Sequence, residues 1–285
     1  LTSTLMKRLL AILAYTLLPL SYAAGGSFDH SHRAWTELLR QHVVLIDGGG
    51  GSQVRYAEFK NKRTELKAYL DTLSSVTLPE FEAWSKAQQL AFLLNAYNAF
   101  TVGLILTRYP HLESIRDFGR FIDNPWKKRF FKLLGQEQHL DGLEHGIIRA
   151  PGVYDEPRIH MAVNCASVGC PMLREEAYLA DRLAVQLEEQ VVRFLSDRSR
   201  NRYDTATQTL EVSEIFEWYG EDFSSGFQGI RSREQFFAQY AQLLTDDPSG
   251  QALIRSQQAK ITFLDYDWAL NDCRGCRGHE QAVAK

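Results

Sequence analysis

The chain has 285 residues, 45% of them hydrophobic and 24% charged, with a formal net charge of -3. This is an ordinary globular composition, apolar enough to bury a substantial core. The balanced charge gives no long-range attraction to a phosphate backbone, so no nucleic-acid partner is expected.

The first segment reads as a secretory signal peptide over residues 1–24. Met6-Lys7-Arg8 supplies a positive start, residues 9–20 are almost wholly apolar, and Ser21-Tyr22-Ala23-Ala24 offers small residues at cleavage spacing. The apolar run falls short of the ~20 residues that span a bilayer comfortably. No Cys follows it, so a lipoprotein-type anchor is not expected. The mature chain is then periplasmic or secreted, with no stable membrane span after cleavage. An uncleaved anchor is the competing reading.

Further along, residues 29–44 form an amphipathic helix pattern with Trp35, Leu38, Leu39 and Val43 on one face. Residues 48–51 read as a flexible loop, and Leu66, Tyr69, Leu70 and Leu73 mark a second helix. From Pro79 a long helix is predicted, through Phe81, Trp84, Leu90, Leu93, Leu94, Tyr97 and Thr101, ended by Tyr109-Pro110. Residues 130–140 predict a hairpin about Gly135. Asp141 and Glu144 form a capping-box-like start to a short helix reaching Arg149. Residues 158–163 read as a buried strand, 179–194 as a helix, 209–212 as a strand, 233–244 as a helix and 261–266 as a closing strand.

Helices and short strands alternate without a regular βαβ pattern. The expectation is an α+β fold, a single helix-rich domain with a small mixed sheet. The organisation read from the chain is a signal peptide at 1–24 and an N-terminal helical segment at 25–78 packed on the main domain. The main domain follows at 79–271, then a polar, disordered tail at 272–285.

The densest chemistry lies in Pro157-Arg158-Ile159-His160-Met161-Ala162-Val163-Asn164-Cys165-Ala166-Ser167-Val168-Gly169-Cys170-Pro171. A strand feeding a small-residue loop would hold functional groups rigidly. A thiol becomes a nucleophile when a nearby base or positive charge favours its thiolate.

Several segments together resemble the family called domain of unknown function 547. They are Leu94-Asn95-Ala96-Tyr97-Asn98-Ala99, Leu143-Glu144-His145 with Arg149, and the His160 to Pro171 loop. Ser213-Glu214-Ile215-Phe216-Glu217-Trp218-Tyr219 with Asp222-Phe223, and Tyr266-Asp267-Trp268-Ala269-Leu270-Asn271, follow in order. With its leader, the chain resembles an exported bacterial member. The resemblance spans residues 79–271 and implies a fold and a site location, but no assigned reaction and no established catalytic residue.

Roles therefore come from chemistry. Cys165 is the candidate nucleophile and His160 or His145 its base. On a straight strand His160 and Cys165 point apart, and a turn at Asn164 would bring them together. The order His before Cys reverses that of papain-like proteases, as a permuted or distant relative of that fold would. Asn95 and Asn98, one turn apart, would bind a substrate carbonyl or orient an imidazole. Glu144 would orient a histidine or cap its helix, Arg149 would hold a carboxylate, and Ser167 joins the candidate substrate contacts. The bland alternative makes Cys165 a small buried hydrophobe and His160 a core histidine.

Cys165 and Cys170 are close enough in sequence for a disulfide. Cys273-Arg274-Gly275-Cys276 is a lone CxxC in the tail, better read as a local disulfide or as exposed thiols than as half of a zinc site. No metal and no cofactor is expected. Trp218, Tyr219, Phe223 and Trp268 read as core. The chain is read as a thiol-dependent hydrolase or acyl transferase. The alternative is a non-catalytic module binding a small-molecule or peptide ligand in the same cleft.

Overall fold

The most apolar stretch of the chain becomes its axis. The helix Lys86–Arg108 has 23 residues, and buried side chains occupy every face along its middle. It is long and apolar enough to cross a membrane, yet 89% of its most apolar window is buried inside the protein. Ser85 starts it through a capping box with Gln88. Pro79 instead sits in a separate short helix, Leu78–Glu82, capped by Thr77. The predicted single helix is thus broken where Ser85 offers its own cap. The computed structural model describes residues 27–119, 124 and 126–276. The signal-peptide reading lies outside them, as does the tail beyond Cys276.

Two helices, Arg33–His42 and Arg63–Ser75, pack beside this axis and share its core. Trp35 stacks on Tyr69 with ring centres 5.7 Å apart. Gly103 is where Arg63–Ser75 meets the axis: a Cβ there would come within 3.2 Å of Leu70 Cδ1. Residues 48–51, expected as a loop, belong partly to a hairpin, Val43–Ile46 against Gly51–Val54.

The predicted hairpin about Gly135 forms from Phe131–Leu133 and Gln136–Gln138. Leu134 and Gly135 both take positive φ, as a two-residue hairpin turn requires. The short helix that follows, Leu140–Leu143, is capped by His139, whose Nδ1 accepts from Gly142 N–H at 2.8 Å. Asp141 and Glu144 do not form the expected cap. Glu144 instead opens a wider π-helical turn, Glu144–Ile148.

A second core surrounds the helix Leu183–Ser196 and a three-stranded sheet. Thr209–Ser213 runs antiparallel to Arg202–Asp204 and parallel to Lys260–Leu264. The parallel pairing needs a long crossover, and the helices Arg233–Gln239, Ala241–Leu244 and Pro248–Arg255 supply it. The α+β architecture with a small mixed sheet is thus the one read from the sequence.

The main correction concerns residues 158–163. Pro157–Met161 is a 3-10 helix, with Pro157 in its first turn and the Glu156 side chain accepting from Arg158 N–H. Proline pre-sets a helical φ. Every side chain of the segment is buried, so apolar patterning alone cannot distinguish strand from helix. The tail is corrected too. Residues 272–276 are docked: Cys273 N–H bonds Val54 O at 2.9 Å, Cys273 is buried, and a disulfide joins it to Cys276.

Candidate functional site

The site is built from the central helix outward. Asn98 donates from Nδ2 to Ala162 O at 3.0 Å and accepts from Asn164 N–H at 2.8 Å. Asn95 does the same for Tyr178, at 2.8 Å and 2.9 Å. Both asparagines are buried, with the amide nitrogen and oxygen of each bonded to backbone rather than turned to a ligand. They are clamps that pin the Cys165 loop and the 178 segment to the axis. Buried amides need such partners.

Asn164 carries the clamp forward. Its Nδ2 donates to Pro171 O at 2.7 Å and its Oδ1 accepts from Ala166 N–H at 3.0 Å. This curls the loop, with Ala166 at φ 64°. The closing segment locks it from the other side, through Val168 N–H to Ala269 O at 2.8 Å and Gly169 N–H to Asp267 O at 2.8 Å. Gly169 is required there: a Cβ would meet Asp267 N at 2.9 Å.

This scaffold presents Cys165. The thiol is free and partly exposed. Its sulfur lies 3.0 Å from Ser167 Oγ and 3.1 Å from Tyr266 OH, and these two hydroxyls are 2.9 Å apart. Cys165 N–H points at Cys170 Sγ, 2.9 Å away. Cys170 is also free but buried, so the disulfide considered from the sequence is not formed. A hydrogen bond from the Cys170 thiol, helped by those of Ser167 and Tyr266, outweighs burial and lowers the Cys165 thiol to about 7. Burial pushes the Cys170 thiol well up. One sulfur is therefore poised to ionise and its neighbour to stay protonated.

The partners of the Cys165 sulfur are hydroxyls and a thiol, not the imidazole expected of it. His160 is turned to another task. Its Nε2 lies 2.7 Å from Asp222 Oδ2, and its ring stacks on Tyr219 with centres 4.0 Å apart. Its Nδ1 is buried and has no hydrogen-bond partner among the described residues. Burial, outweighing Asp222, lowers its pKa, so the ring is neutral near pH 7. Neutral, it gives its Nε2–H to Asp222 and keeps a lone pair on Nδ1.

Arg149 completes this arrangement. It grips Asp222 in a two-point contact, Nε to Oδ2 at 2.6 Å and Nη2 to Oδ1 at 2.9 Å. Its expected carboxylate is thus one of the protein's own. Burial opposes ionisation of Asp222, but His160 and Arg149 hold its carboxyl well below the usual range. His145 is partly exposed; its Nδ1 meets Arg149 Nη1 and its Nε2 lies 3.6 Å from Asp141 Oδ1. No hydrogen bond joins it to the Cys165 sulfur, whose partners lie elsewhere.

Cys165, His160, His145 and Glu144 nonetheless line one cleft of about 290 Å³. Its walls are mainly aromatic: Trp126, Trp218, Tyr219, Tyr266 and Trp268. Of the aromatics read as core, Phe223 is buried, but Trp218 is 43% exposed and stacks on Trp268 at 5.8 Å. Glu144 is buried beside Tyr219; burial first, and that carboxylate second, push the Tyr219 phenol up. Sequence reasoning gave no role to Asp222 or Tyr266. They lie 62 and 101 residues from the groups they serve, and only their place in the segments that carry the family resemblance marks them. Among the described residues no group of three or more His, Cys, Asp or Glu side chains is placed to hold a metal ion.

Residues 81–195 match the family model described as "Protein of unknown function, DUF547". The match covers the central helix and the Cys165 loop and ends before Tyr219, Asp222 and Tyr266. No curated protein and no solved structure matches the chain.

Proposed function

We propose that this chain is a thiol-dependent hydrolase or acyl transferase, with Cys165 as nucleophile, acting on an amide, ester or thioester of a small molecule or peptide. One observation carries the reading: the sulfur of a half-buried cysteine that lines a cleft, ringed by the hydroxyls of Ser167 and Tyr266. Such donors stabilise a thiolate and so supply the nucleophile without an adjacent base.

The thiolate attacks the acyl carbon, and a carbon–sulfur bond forms as the carbonyl electrons move to oxygen. The two hydroxyls, released by the sulfur, can then donate to that oxyanion. Collapse expels the amine, alcohol or thiol, which takes a proton from solvent as it leaves, and a thioester remains on Cys165. Water, or an acceptor in a transferase, attacks this thioester and restores the thiol. His160, held by Asp222 with a lone pair on Nδ1, takes the proton of that attacking water or acceptor, and the restored thiol draws its own proton from solvent. The aromatic walls favour a substrate with a flat or apolar portion next to the acyl group.

We read the segments holding Tyr219, Asp222 and Tyr266 as part of the same domain as residues 81–195, because they complete the cleft. The leader pattern and the Cys273–Cys276 disulfide support a periplasmic or secreted location.

A non-catalytic binding module is the second reading, favoured by the sulfur's lack of an imidazole partner. An activated aryl ester discriminates the two. Reduced wild-type protein should gain one acyl group on Cys165, C165S should gain none, and H160Q should acylate but release the acyl group more slowly. A Cys165 that alkylates readily yet never acylates would select the binding module.

A further inference from the structure

Two thiols five positions apart differ in ways that assign them different work. Cys165 is partly exposed in the cleft, while Cys170 is buried behind it. The Cys170 sulfur lies 2.9 Å from Cys165 N and 3.8 Å from Val163 O. The loop that joins them is already closed, with Cys170 N–H bonded to Ser167 O at 3.2 Å. A disulfide needs its sulfurs at about 2.05 Å, and the Cys170 sulfur already sits against the Cys165 backbone. An accessible, readily ionised thiol beside a protected second thiol is the arrangement in which oxidation stops at a disulfide rather than running on to sulfinic acid.

From this juxtaposition we infer that Cys165 and Cys170 form a peroxide-responsive pair, in which Cys165 reacts with a hydroperoxide and Cys170 resolves the product to an intramolecular disulfide. The inference uses the Cys165 thiolate of the proposed function but not its acyl chemistry. In the first step the Cys165 sulfur attacks one peroxide oxygen. A sulfur–oxygen bond forms and the oxygen–oxygen bond breaks. The departing oxygen takes up a proton from solvent and leaves as water or an alcohol, with the Ser167 and Tyr266 hydroxyls beside the sulfur placed to hydrogen-bond it as it departs. The product is a sulfenic acid on Cys165. In the second step Cys170 attacks that sulfur, the sulfur–sulfur bond forms, and the hydroxyl leaves with the Cys170 proton as water. Two thiols are oxidised and one peroxide is reduced.

The consequence for the site is direct. In the disulfide Cys165 has no thiolate, so peroxide disarms the nucleophile, and a dithiol reductant re-arms it.

Both cysteines fall in one tryptic peptide, residues 159–174, free of the Cys273–Cys276 pair. The reduced full-length protein is treated with stoichiometric hydrogen peroxide at neutral pH, blocked with an alkylating agent and mapped by mass. The wild-type peptide should lose two hydrogens and carry no alkyl group, and reductant should reverse this. C170S and C170A should instead accumulate a sulfenic acid on Cys165 that dimedone traps, and C165S should show neither product. A wild-type peptide in which Cys165 is over-oxidised while Cys170 still alkylates would overturn the pairing, as would failure of Cys165 to oxidise. The wild-type measurement decides even should both Cys170 variants misfold. Acylation of reduced wild-type protein by the aryl ester tests the acyl-transfer reading separately, whichever way the peroxide result falls.

Discussion

Removing one hydroxyl from beside the Cys165 sulfur tests the chemistry most directly. Y266F keeps the ring that packs against Trp218 and Trp268 and deletes only the oxygen 3.1 Å from the sulfur. A hydrogen bond to a charged group contributes about 1.5–3 kcal/mol. At about 1.36 kcal/mol per pKa unit, its loss raises the thiol by about one to two units. Starting from a thiol lowered to about 7, the ionised fraction at neutral pH falls from about one half to between roughly a tenth and a hundredth. The thiolate that remains is more basic and intrinsically faster, with a Brønsted slope of about 0.4–0.5, which offsets part of the fall. The assay is the rate of iodoacetamide alkylation of Cys165 against pH, read by mass. Wild type should show a midpoint near 7, and Y266F a midpoint displaced upward with slower alkylation at neutrality. S167A should act in the same direction. Because Ser167 and Tyr266 also bond each other, the double variant should shift by less than the sum. A wild-type midpoint at the ordinary thiol value near 8.5, or a Y266F profile that overlays wild type, would refute the reasoning.

Other outcomes follow from the same geometry. N98A leaves Ala162 O and Asn164 N–H without their partner and should cost about 2–4 kcal/mol in chemical denaturation; Cys165 should also alkylate more slowly in the folded variant, since its loop is no longer pinned. Burial lowers His32 to about 4 and lowers His160 as well, so the unfolded chain binds more protons than the folded one below about pH 6.5. Stability should therefore fall as pH drops from 7 to 5, and H160Q should flatten that fall in a melting series. An unchanged slope in H160Q would show that His160 is already charged when folded. D222N removes the charge gripped by Arg149 and His160 and should destabilise the fold by about 1–3 kcal/mol, between the values for an exposed and a fully buried pair. W218A, at a 43% exposed position, should leave stability within about 1 kcal/mol yet weaken capture of the aryl ester, measured as a rise in KM.

Local patterning carried much of the fold. The apolar run of Lys86–Arg108, the faces of Arg33–His42 and Arg63–Ser75, and the hairpin about Gly135 all declare themselves in local sequence, though the turn falls one residue earlier, at Leu134-Gly135. It failed at Pro157–Met161, where burial on all sides erases the periodicity that separates strand from helix. It also misplaced the cap of Leu140–Leu143, because the helix starts before Asp141 and His139 caps it at Gly142 N–H.

The candidate site divides along the same line. Residue types within one short loop were enough to single out Cys165, His160, Ser167 and Cys170, since a thiol, an imidazole and a hydroxyl within eight positions are legible at any fold. Their partners were not. Asn95 and Asn98 look like ligand-binding amides until their backbone clamps are seen, and Arg149 looks free until Asp222 is found in its grip. Residue chemistry along the chain was enough to nominate the candidate reactive groups. Which hydroxyl faces the sulfur and which carboxylate holds the imidazole came only with folding, because hydrogen bonds act across about 3 Å of space while the residues that make them stand 62 to 101 positions apart along the chain.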